Sequence, residues 1–545
     1  DKLTPEISGI YSETFADGKF GVAVTGSYQK RESGSAAATT GAGWSSIRGS
    51  VDMDWGGEEH IDWAWGGMGM GHVQNQPADN DVYGIPQQVA YVFSETDRER
   101  INGQLSLQFA PSDNLTATLD YTYSSQELES TYHDLGAWFA LSNAPQSAIF
   151  TDNDSPAVQT PLLYSEISSG GDLTFGSGVE KVKSENKSIG FNVEWQPMDQ
   201  LRLSLDAHSS EAVLGPDGPY GNSAGISVTS FSRERTTLNS SGEVPALVLD
   251  LSNSQGGYDV LQEDLQASGS WFRESHSEHK IKQVQLDGNW EFNDQWNIDF
   301  GYAWTEGEFN SAYSHNGRDS WGGLGQPGEL PDEIFSKDSI LKYFSGSFGQ
   351  TTQEQMDFLG GTNTAIMDQR FVTDFHALRD YVATNFDDGQ GDANCADGST
   401  WYCSATPDTF QQIVETTNSA YVQVNYTTDI AGMVFAANAG VRYVETDVDA
   451  PYTGFTYHPI RWVTDNEFSL NTVDGSAITI SDSGSHDNFL PSLDLRLDVT
   501  DDITLRASYS QSIARPDWLA LRGTSYGGVR ALGVAASAGN PNPKP

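Results

Sequence analysis

The sequence has few basic residues for its length. Lys and Arg together number 29 against 75 Asp and Glu, which gives a formal net charge of −46 over 545 residues. A surface that binds nucleic acid needs clustered basic side chains to neutralise the phosphates. The charge balance therefore argues against nucleic acid as a partner.

Long apolar runs are also missing. No stretch of eighteen consecutive apolar residues occurs, so a helical membrane span is excluded. Hydrophobic residues make up only 37% of the chain. That proportion suits a membrane protein only if every second residue of its spanning segments meets lipid.

Catalytic motifs are lacking as well. The chain contains no His-Glu-x-x-His zinc motif and no phosphate-binding P-loop, and its 10 His residues are scattered. Neither an enzyme nor a resident cofactor is therefore predicted.

Only two cysteines occur, Cys395 and Cys403, eight positions apart in one polar segment. In an oxidising compartment, two cysteines at this spacing favour a disulfide that closes a small loop. A metal site is the alternative, but the nearby Cys, His and Asp residues supply too few ligands.

The chain is rich in strict alternation of apolar and polar residues. Leu493, Leu495 and Leu497 alternate with charged residues, and after a turn at Asp501-Asp502 the pattern resumes from Ile503 to Ser510. Period-two alternation places the two sets on opposite faces of a sheet. One face is as apolar as a protein core, and the other carries charges that a dry core would not accept unpaired.

This unit recurs and predicts about twelve strands in six hairpins. Tight turns are predicted at 111–113, 197–199, 293–295, 429–432 and 500–502. Long connections are predicted at 32–96, 127–185, 212–278, 311–412 and 448–485. The strands are long, aromatic residues lie near the turns, and the connections are short on one side and long on the other. These three features favour an all-β, transmembrane antiparallel β-barrel over a soluble β-sandwich.

The polar face of such a barrel lines its lumen. The residues predicted to face the lumen are Asp494, Arg496, Asp498, Arg506 and Arg442. The short turns are expected on the periplasmic side of an outer membrane and the long connections outside the cell.

Several runs from about Glu415 onward resemble the TonB-dependent outer-membrane receptors. They are Thr417-Asn-Ser-Ala-Tyr-Val-Gln-Val-Asn425, Gly440-Val-Arg-Tyr-Val-Glu-Thr446, Asn488-Phe-Leu-Pro-Ser-Leu-Asp-Leu-Arg496, Ser512-Ile-Ala-Arg-Pro-Asp517 and Gly539-Asn-Pro-Asn-Pro-Lys-Pro545. The third is similar to the family's LPSLNLR strand, with Asp494 in place of Asn. The last is similar to its GNPNLKP loop, with Pro543 in place of Leu.

The resemblance implies a barrel of about twenty-two strands in the cell outer membrane, plugged by an N-terminal domain that contacts TonB. Residues 1–545 are then expected to form a partial barrel domain, without the plug and without the C-terminal strands. The implied partners are outer-membrane lipid and lipopolysaccharide, the TonB complex acting through the plug, and a small-molecule or glycan substrate.

Tryptophans in the long connections are candidates for ligand binding. Trp55, Trp63 and Trp65 stand among glycines and acidic residues, and Trp138 and Trp321 are similar but less clustered. Flat aromatic faces stack on sugar rings, and neighbouring carboxylates accept hydrogen bonds from hydroxyl groups. Packing within the loops, or contact with the lipid interface, is the alternative.

The connection between about Asn310 and Gln412 is long enough to fold on its own. Met367, Phe371, Phe375, Leu378 and Val382 recur at steps of three and four residues, which predicts an amphipathic helix. We expect it to act as a lid on the barrel mouth or as a purely structural element.

An acidic run, Asp387-Asp-Gly-Gln-Gly-Asp392, follows in the same connection. It is a candidate for calcium, although its spacing departs from the EF-hand loop and a solvated acidic loop is the alternative.

The acidic excess bears on the substrate. An anionic ferric siderophore would be repelled unless the charges are locally segregated, whereas a neutral oligosaccharide would not. We therefore expect an active-transport receptor for a glycan, with a ferric-siderophore receptor and then a passive porin-like channel as alternatives.

Overall fold

A row of twelve long strands dominates the computed structural model. The structure describes residues 4–40, 44–48, 73–75, 81–139, 146–151, 158–318, 322–361, 364–464, 467–500, 502–515, 517–521, 525–530, 533–537 and 540. The twelve strands are β1 (Glu6–Phe15), β2 (Phe20–Thr39), β3 (Gln88–Ser112), β4 (Leu115–Trp138), β5 (Pro161–Met198), β6 (Leu201–Pro216), β7 (Gln266–Asn293), β8 (Trp296–Arg318), β9 (Thr409–Ile430), β10 (Met433–Asp449), β11 (Ser483–Thr500) and β12 (Ile503–Ser510).

Every strand in this row pairs antiparallel with the next one along the chain. The prediction of about twelve strands in six hairpins is confirmed. We call the row the wall. Among the described strands, β1 pairs only with β2 and β12 only with β11, so the wall is an open sheet.

The short turns share one rim of the wall. They lie at 16–19, 113–114, 199–200, 294–295 and 431–432, and a sixth short connection joins Thr500 of β11 to Ile503 of β12. Backbone hydrogen bonds join neighbouring hairpins there, from Gln196 N to Asn114 O at 2.8 Å and from Thr427 N to Gln295 O at 2.9 Å. The long connections, 40–87, 139–160, 217–265, 319–408 and 450–482, leave from the opposite rim.

Local chemistry fixes two of these turns. The Asn293 side-chain oxygen accepts hydrogen bonds from the backbone N–H groups of Gln295 and Trp296, at 2.9 and 3.1 Å, which forms an Asx turn. At the next turn Gly432 has φ of +81°, a conformation that favours glycine, and its N–H donates to the Asp429 carboxylate at 2.8 Å.

The remaining elements are shorter. The other strands are Trp44–Arg48, Val73–Gln74, Val82–Pro86, Gln146–Phe150, Val158–Gln159, Ser223–Asn239, Ala246–Asp250, Phe335–Ser339, Thr364–Ile366, Gln369–Thr373, Tyr452–Thr464, Glu467–Ile480, Ser525–Arg530 and Gly533–Ser537. The helices are α1 (Leu341–Phe344), α2 (Gln353–Phe358), α3 (Phe375–Phe386) and α4 (Trp518–Leu521), with 3₁₀ turns at Gln262–Asp264 and Asp332–Ile334. None of the helices in the described ranges is long and apolar enough to cross a membrane.

The two faces of the wall differ in chemistry. One face, which we call the inner face, carries the side chains of Glu194, Asp287, Tyr421 and Arg442, and these line a cavity of about 1220 Å³. The opposite face, the outer face, carries the alternate residues. Because β4 pairs with β5 without a register shift from Leu115 to Ala137, each face can be followed along the whole strand.

Nearest the short turns, the outer face is an exposed apolar belt. On β5, Ile189, Phe191 and Trp195 are 50%, 41% and 46% exposed. Leu286 on β7 and Leu493 on β11 are exposed in the same way. Four or five alternate residues cover about nine positions of a strand, the length that a tilted strand needs to cross hydrocarbon. A surface this apolar is covered by lipid.

Aromatic pairs border the belt at the short-turn rim. The rings of Phe20 and Phe109 stack with centroids 4.8 Å apart, and those of Trp296 and Tyr426 lie 4.3 Å apart. Amphipathic rings at this level form an interfacial girdle.

Beyond the belt, the outer face becomes charged. We call this zone the collar; it comprises Glu127 and Glu129 on β4, Lys181, Lys183, Glu185 and Lys187 on β5, Glu211 on β6, Glu278, Lys280 and Lys282 on β7 and Glu306 on β8. The Nζ–Oε distances are 2.9 Å for Lys183–Glu127, 2.7 Å for Lys280–Glu278 and 2.9 Å for Lys282–Glu306. Because such charges are costly in hydrocarbon, the collar marks the edge of the lipid core.

Beyond the collar, the outer face is apolar again and is buried by the connection between β8 and β9 (residues 319–408), which we call the insert. Phe371 of the insert meets Phe175 of β5 with ring centroids 4.9 Å apart. Its Tyr343 meets Phe93 of β3 at the same distance. The insert therefore packs on the outer face of the wall, not across the barrel mouth where a lid was predicted.

The predicted helix in the insert is shorter than the residue spacing suggested. Helix α3 begins at Phe375, and the Asp374 side chain caps it by accepting hydrogen bonds from His376 N and Ala377 N. Phe371 lies instead in the Gln369–Thr373 strand, and Met367 precedes that strand. Both are buried in the same core as Leu378 and Val382, so the apolar spacing was right about burial and wrong about the helix start.

The wall strands also extend into segments that were predicted as connections. β5 runs for 38 residues and β7 for 28, far more than a membrane crossing requires. The extra length lies beyond the collar and carries the insert.

Because adjacent residues face opposite sides of the wall, the same substitution should destabilise the protein by different amounts at the two positions. Phe191→Arg places a cation in the apolar belt and should lower the free energy of unfolding by about 2–4 kcal/mol. Asn192→Arg, one residue away on the inner face, should cost less than about 1 kcal/mol, the usual range for a polar site in water. Urea unfolding in detergent or liposomes measures both, and equal losses would contradict the assigned faces.

The two rims should differ in accessibility on intact cells. We expect a membrane-impermeant maleimide to label Tyr258→Cys, whose native side chain is 59% exposed in the connection between β6 and β7. Asp294→Cys, in a short turn, should react only after the outer membrane is permeabilised. Labelling of Asp294→Cys first would reverse the topology.

Candidate functional site

The inner face of the wall carries a large cavity of about 1220 Å³. It lies toward the short-turn rim and is lined from β4 round to β11. Its polar side chains include Ser204, Asp287, Asn289, Asp299, Thr417, Ser419, Tyr421, Gln423, Arg442 and Ser492. Most of these groups are hydroxyls, amides and carboxylates, which exchange hydrogen bonds with a hydroxylated ligand.

Hydrogen bonds join three neighbouring strands across the cavity floor, and a cation–π contact adds a fourth. Asp299 of β8 accepts hydrogen bonds from Asn289 of β7 at 2.5 Å and from Asn425 of β9 at 2.6 Å. Tyr421 Oη of β9 donates to Asp287 of β7 at 2.8 Å. The Arg442 guanidinium of β10 lies 5.1 Å from the centre of the Tyr421 ring. These contacts hold the polar side chains in fixed orientations.

The cavity does not carry an excess of positive charge. Its lining contains four carboxylate residues, Asp113, Glu194, Asp287 and Asp299, and three arginines, Arg202, Arg442 and Arg515. Two of the arginines already have carboxylate partners, Arg515 with Glu415 at 3.0 Å and Arg202 with Glu291 at 3.9 Å. A polyanionic ligand would therefore find little uncompensated positive charge here.

The structure places all five predicted lumen residues on the inner face. Arg442 lines the cavity, and Asp494, Arg496 and Asp498 share the face of Ser492, which also lines it. Arg506 lies directly opposite Arg496 on β12. Asp498 offsets this pairing of like charges, because Arg496 Nη2 lies 2.9 Å from its carboxylate.

The cavity residues Asp287, Asn289, Asp299, Tyr421 and Gln423 were not singled out from the sequence. Each occupies a polar position of an alternating strand, so the sequence predicts which face of the sheet it lies on. The sequence does not predict which strands bring these residues together, because Tyr421 and Asp287 are 134 positions apart.

Of the predicted tryptophans, only Trp138 lies in the described part of the chain. It is at the end of β4 on the inner face, and its carbonyl accepts a hydrogen bond from Arg233 Nη1 at 3.1 Å. Trp55, Trp63, Trp65 and Trp321 lie outside the described residues. A ligand role for these five side chains stays a prediction.

Cys395 and Cys403 are joined in a disulfide, with Cα atoms 5.7 Å apart. The closed loop contains Asp397, which forms an ion pair with Arg379 of α3. The Arg379 guanidinium also donates to Tyr402 O at 2.8 Å. The loop is thus held against the helix by charge as well as by the chain.

The acidic run at 387–392 makes defined hydrogen bonds. The Asp387 carboxylate accepts from Thr400 N at 3.0 Å and Trp401 N at 3.2 Å. Asp388 accepts from Trp401 Nε1 at 2.6 Å and pairs with Arg318 at 2.9 Å. No group of three or more His, Cys, Asp or Glu suited to a metal ion was found within the described ranges. Calcium binding by this run stays a prediction.

The chain belongs to the TonB-dependent receptor family, because residues 219–545 match the family described as "TonB dependent receptor-like, beta-barrel". The motifs from Glu415 onward lie within this match, and the resemblance that they indicated is confirmed. The family locates the protein in the outer membrane, which agrees with the apolar belt of the wall.

Solved structures show more distant likeness. The siderophore receptor PiuA from Acinetobacter baumannii is 10% identical, with 96% of this chain aligned to 50% of that chain at a TM-score of 0.31. The outer membrane transporter YddB from Escherichia coli is 7% identical, over 93% of this chain and 74% of that chain, with a TM-score of 0.12. This chain thus spans half the length of PiuA. A comparison with curated proteins gives no match.

Acid should loosen the insert through Asp397. Hydrogen bonds from Arg379 and Ser399 lower the pKa of its carboxyl to about 2. Because the folded pKa lies below the usual value near 3.8, the stabilisation is complete above about pH 4 and is lost as the pH falls toward 2. Pepsin should therefore cut the wild-type insert faster at pH 2 than at pH 4. Asp397→Asn should show a smaller change, and an equal change would contradict this role.

Proposed function

We propose that the whole protein is an outer-membrane receptor that binds an oligosaccharide and imports it with energy supplied by TonB through a plug domain. The described wall forms part of the barrel that surrounds the plug and the ligand. Its outer face meets lipid and its inner face meets the hydrated substrate.

The observation that carries the glycan proposal is the lining of the inner-face cavity. Oligosaccharides present many hydroxyl groups and no net charge, and each hydroxyl both donates and accepts a hydrogen bond. The amides of Asn289 and Gln423 and the carboxylates of Asp287 and Asp299 match that demand. A ferric siderophore with several negative charges matches it poorly, since two of the three cavity arginines have carboxylate partners.

The collar supports a contact with the outer leaflet. Five of its members are lysines on β5 and β7, at the edge of the apolar belt. We propose that this zone meets the sugar-phosphate head groups of lipopolysaccharide. Each lysine would then pair with a phosphate in place of its glutamate partner.

Glycan binding should depend on the cavity floor. The ligands are hexasaccharides of glucose with α-1,4, β-1,3 or β-1,4 linkages, titrated into the purified full-length receptor by calorimetry. We expect at least one to bind, and we expect Asp287→Ala to weaken that binding about 5- to 30-fold, since it removes one or two hydrogen bonds to the ligand or its network. Leu286→Val, the neighbouring outer-face residue, is the matched control and should leave affinity unchanged.

Regulation gives an independent readout of the same proposal. Synthesis of the receptor should rise on the corresponding polysaccharide and not under iron limitation. Binding of a ferric chelate without any glycan binding, together with induction by iron limitation, would replace the glycan proposal with a siderophore receptor.

A further inference from the structure

The inner face carries a second feature, nearer the rim of the long connections. Tyr132 of β4, Gly178 of β5, Gly225 of the Ser223–Asn239 strand and Trp271 of β7 are successive register partners. They form one straight row across four adjacent strands, with an aromatic residue at each end and two glycines between. We call it the aromatic row.

The row shares its face with the cavity. The β4–β5 register is unbroken from Leu115 to Ala137, so Tyr132 is on the same side as Thr116 of the cavity lining. The β7–β8 register is unbroken from Ser270 to Glu291, which places Trp271 on the same side as Asp287. A ligand that enters from the rim of the long connections meets the aromatic row before it reaches the cavity.

Both rings lie over the glycines of the row. A Cβ atom at Gly225 would be 2.2 Å from Cζ2 and 2.6 Å from both Cε2 and Cη2 of Trp271, so the six-membered ring covers the glycine with its face. A Cβ atom at Gly178 would be 2.2 Å from Cζ of Tyr132, whose hydroxyl reaches on to Ala224 O at 3.4 Å. Glycine within a strand marks a place where another group approaches the backbone closely.

The rings remain partly exposed even though the backbone supports them from below. Tyr132 and Trp271 are both half-buried, whereas Phe175 and Phe272 on the outer face of the same strands are fully buried. Aromatic residues that serve only as core are covered on both sides. Tyr132 and Trp271 are instead only partly covered.

Polar groups stand on both sides of the row. Asp134, two residues from Tyr132 on the same face, lies over Gly176, and its Oδ1 is buried with no hydrogen-bond partner among the described residues. Burial raises the pKa of this carboxyl to about 6, against hydrogen bonds from backbone N–H groups that lower it. Arg273 and His315 lie on the other side, with Arg273 Nε 3.4 Å from His315 Nδ1.

The Asp134 carboxylate as a whole is only half-buried on the inner face, and a sugar hydroxyl can donate a hydrogen bond to it. A sugar ring also presents a flat array of C–H groups that packs on an aromatic face, and Arg273 offers donors to its ring and hydroxyl oxygens.

We propose that the aromatic row is a glycan subsite, in which a sugar ring stacks on Trp271 and Tyr132 and donates a hydroxyl hydrogen bond to Asp134. The proposal rests on the proposed function and assigns to it a first docking position on the wall. Gly178 and Gly225 act as positioning residues, since they allow the rings to lie flat.

The test uses the purified full-length receptor and the glucose hexasaccharide that binds it most tightly. Trp271→Ala should weaken binding tenfold or more, and Trp271→Phe should retain part of the affinity. Gly225→Ala removes no side chain that contacts the ligand, but its methyl group displaces the Trp271 ring, so it should also weaken binding. Trp290→Ala is the matched control, because Trp290 lies on the same strand and faces lipid.

Folding is checked for each variant by the heat-dependent shift of the barrel on electrophoresis. A wild-type receptor that binds the hexasaccharide, with Trp271→Ala, Trp271→Phe and Gly225→Ala all folded and binding equally well, would overturn the subsite and leave the proposed function standing. A wild-type receptor that binds none of the hexasaccharides would overturn the proposed function itself.

Discussion

A strand in lipid has to satisfy its backbone hydrogen bonds with its two neighbours, because the hydrocarbon offers no alternative partner. In this wall those bonds also fix which residues meet lipid. The β4–β5 ladder keeps one register over more than twenty residues, and a slip of one position would exchange the two faces along its whole length. Phe191 would then point into the lumen and Glu194 into the membrane. The belt, the collar, the cavity and the aromatic row all depend on that register.

Much of the wall could be predicted from alternation alone, because lipid on one side and water on the other give the strongest contrast that a strand can carry. The contrast fades beyond the collar. There Tyr91, Leu135 and Phe175 are covered by the insert, while Gly176 and Gly178 lie beneath other side chains. In this region the outer face is buried and the inner face has glycines beneath aromatic and polar side chains, so the alternation is weak and the sequence was interpreted as loop.

The candidate site was less accessible to sequence reasoning than the wall. Alternation assigns Asp287 and Tyr421 to the inner face, but strand order brings them into contact, and that order depends on pairings between distant segments. Trp271 and Gly225 carry a local signal, a glycine inside a strand, which gains meaning only when the register shows what lies opposite. In the insert, Phe371 and Phe375 share a core from two different elements, a case that periodicity of apolar residues does not resolve.

The insert packs on one face of the wall, and the cavity lies on the other. The insert's apolar side chains pack on the outer face of the wall, through contacts such as those of Phe371 and Tyr343, and not on the inner face that carries the cavity. The surface that the insert covers and the surface that carries the cavity are therefore opposite faces of the same sheet. A substitution at a solvent-facing residue of the insert therefore leaves the chemistry of the inner face unchanged.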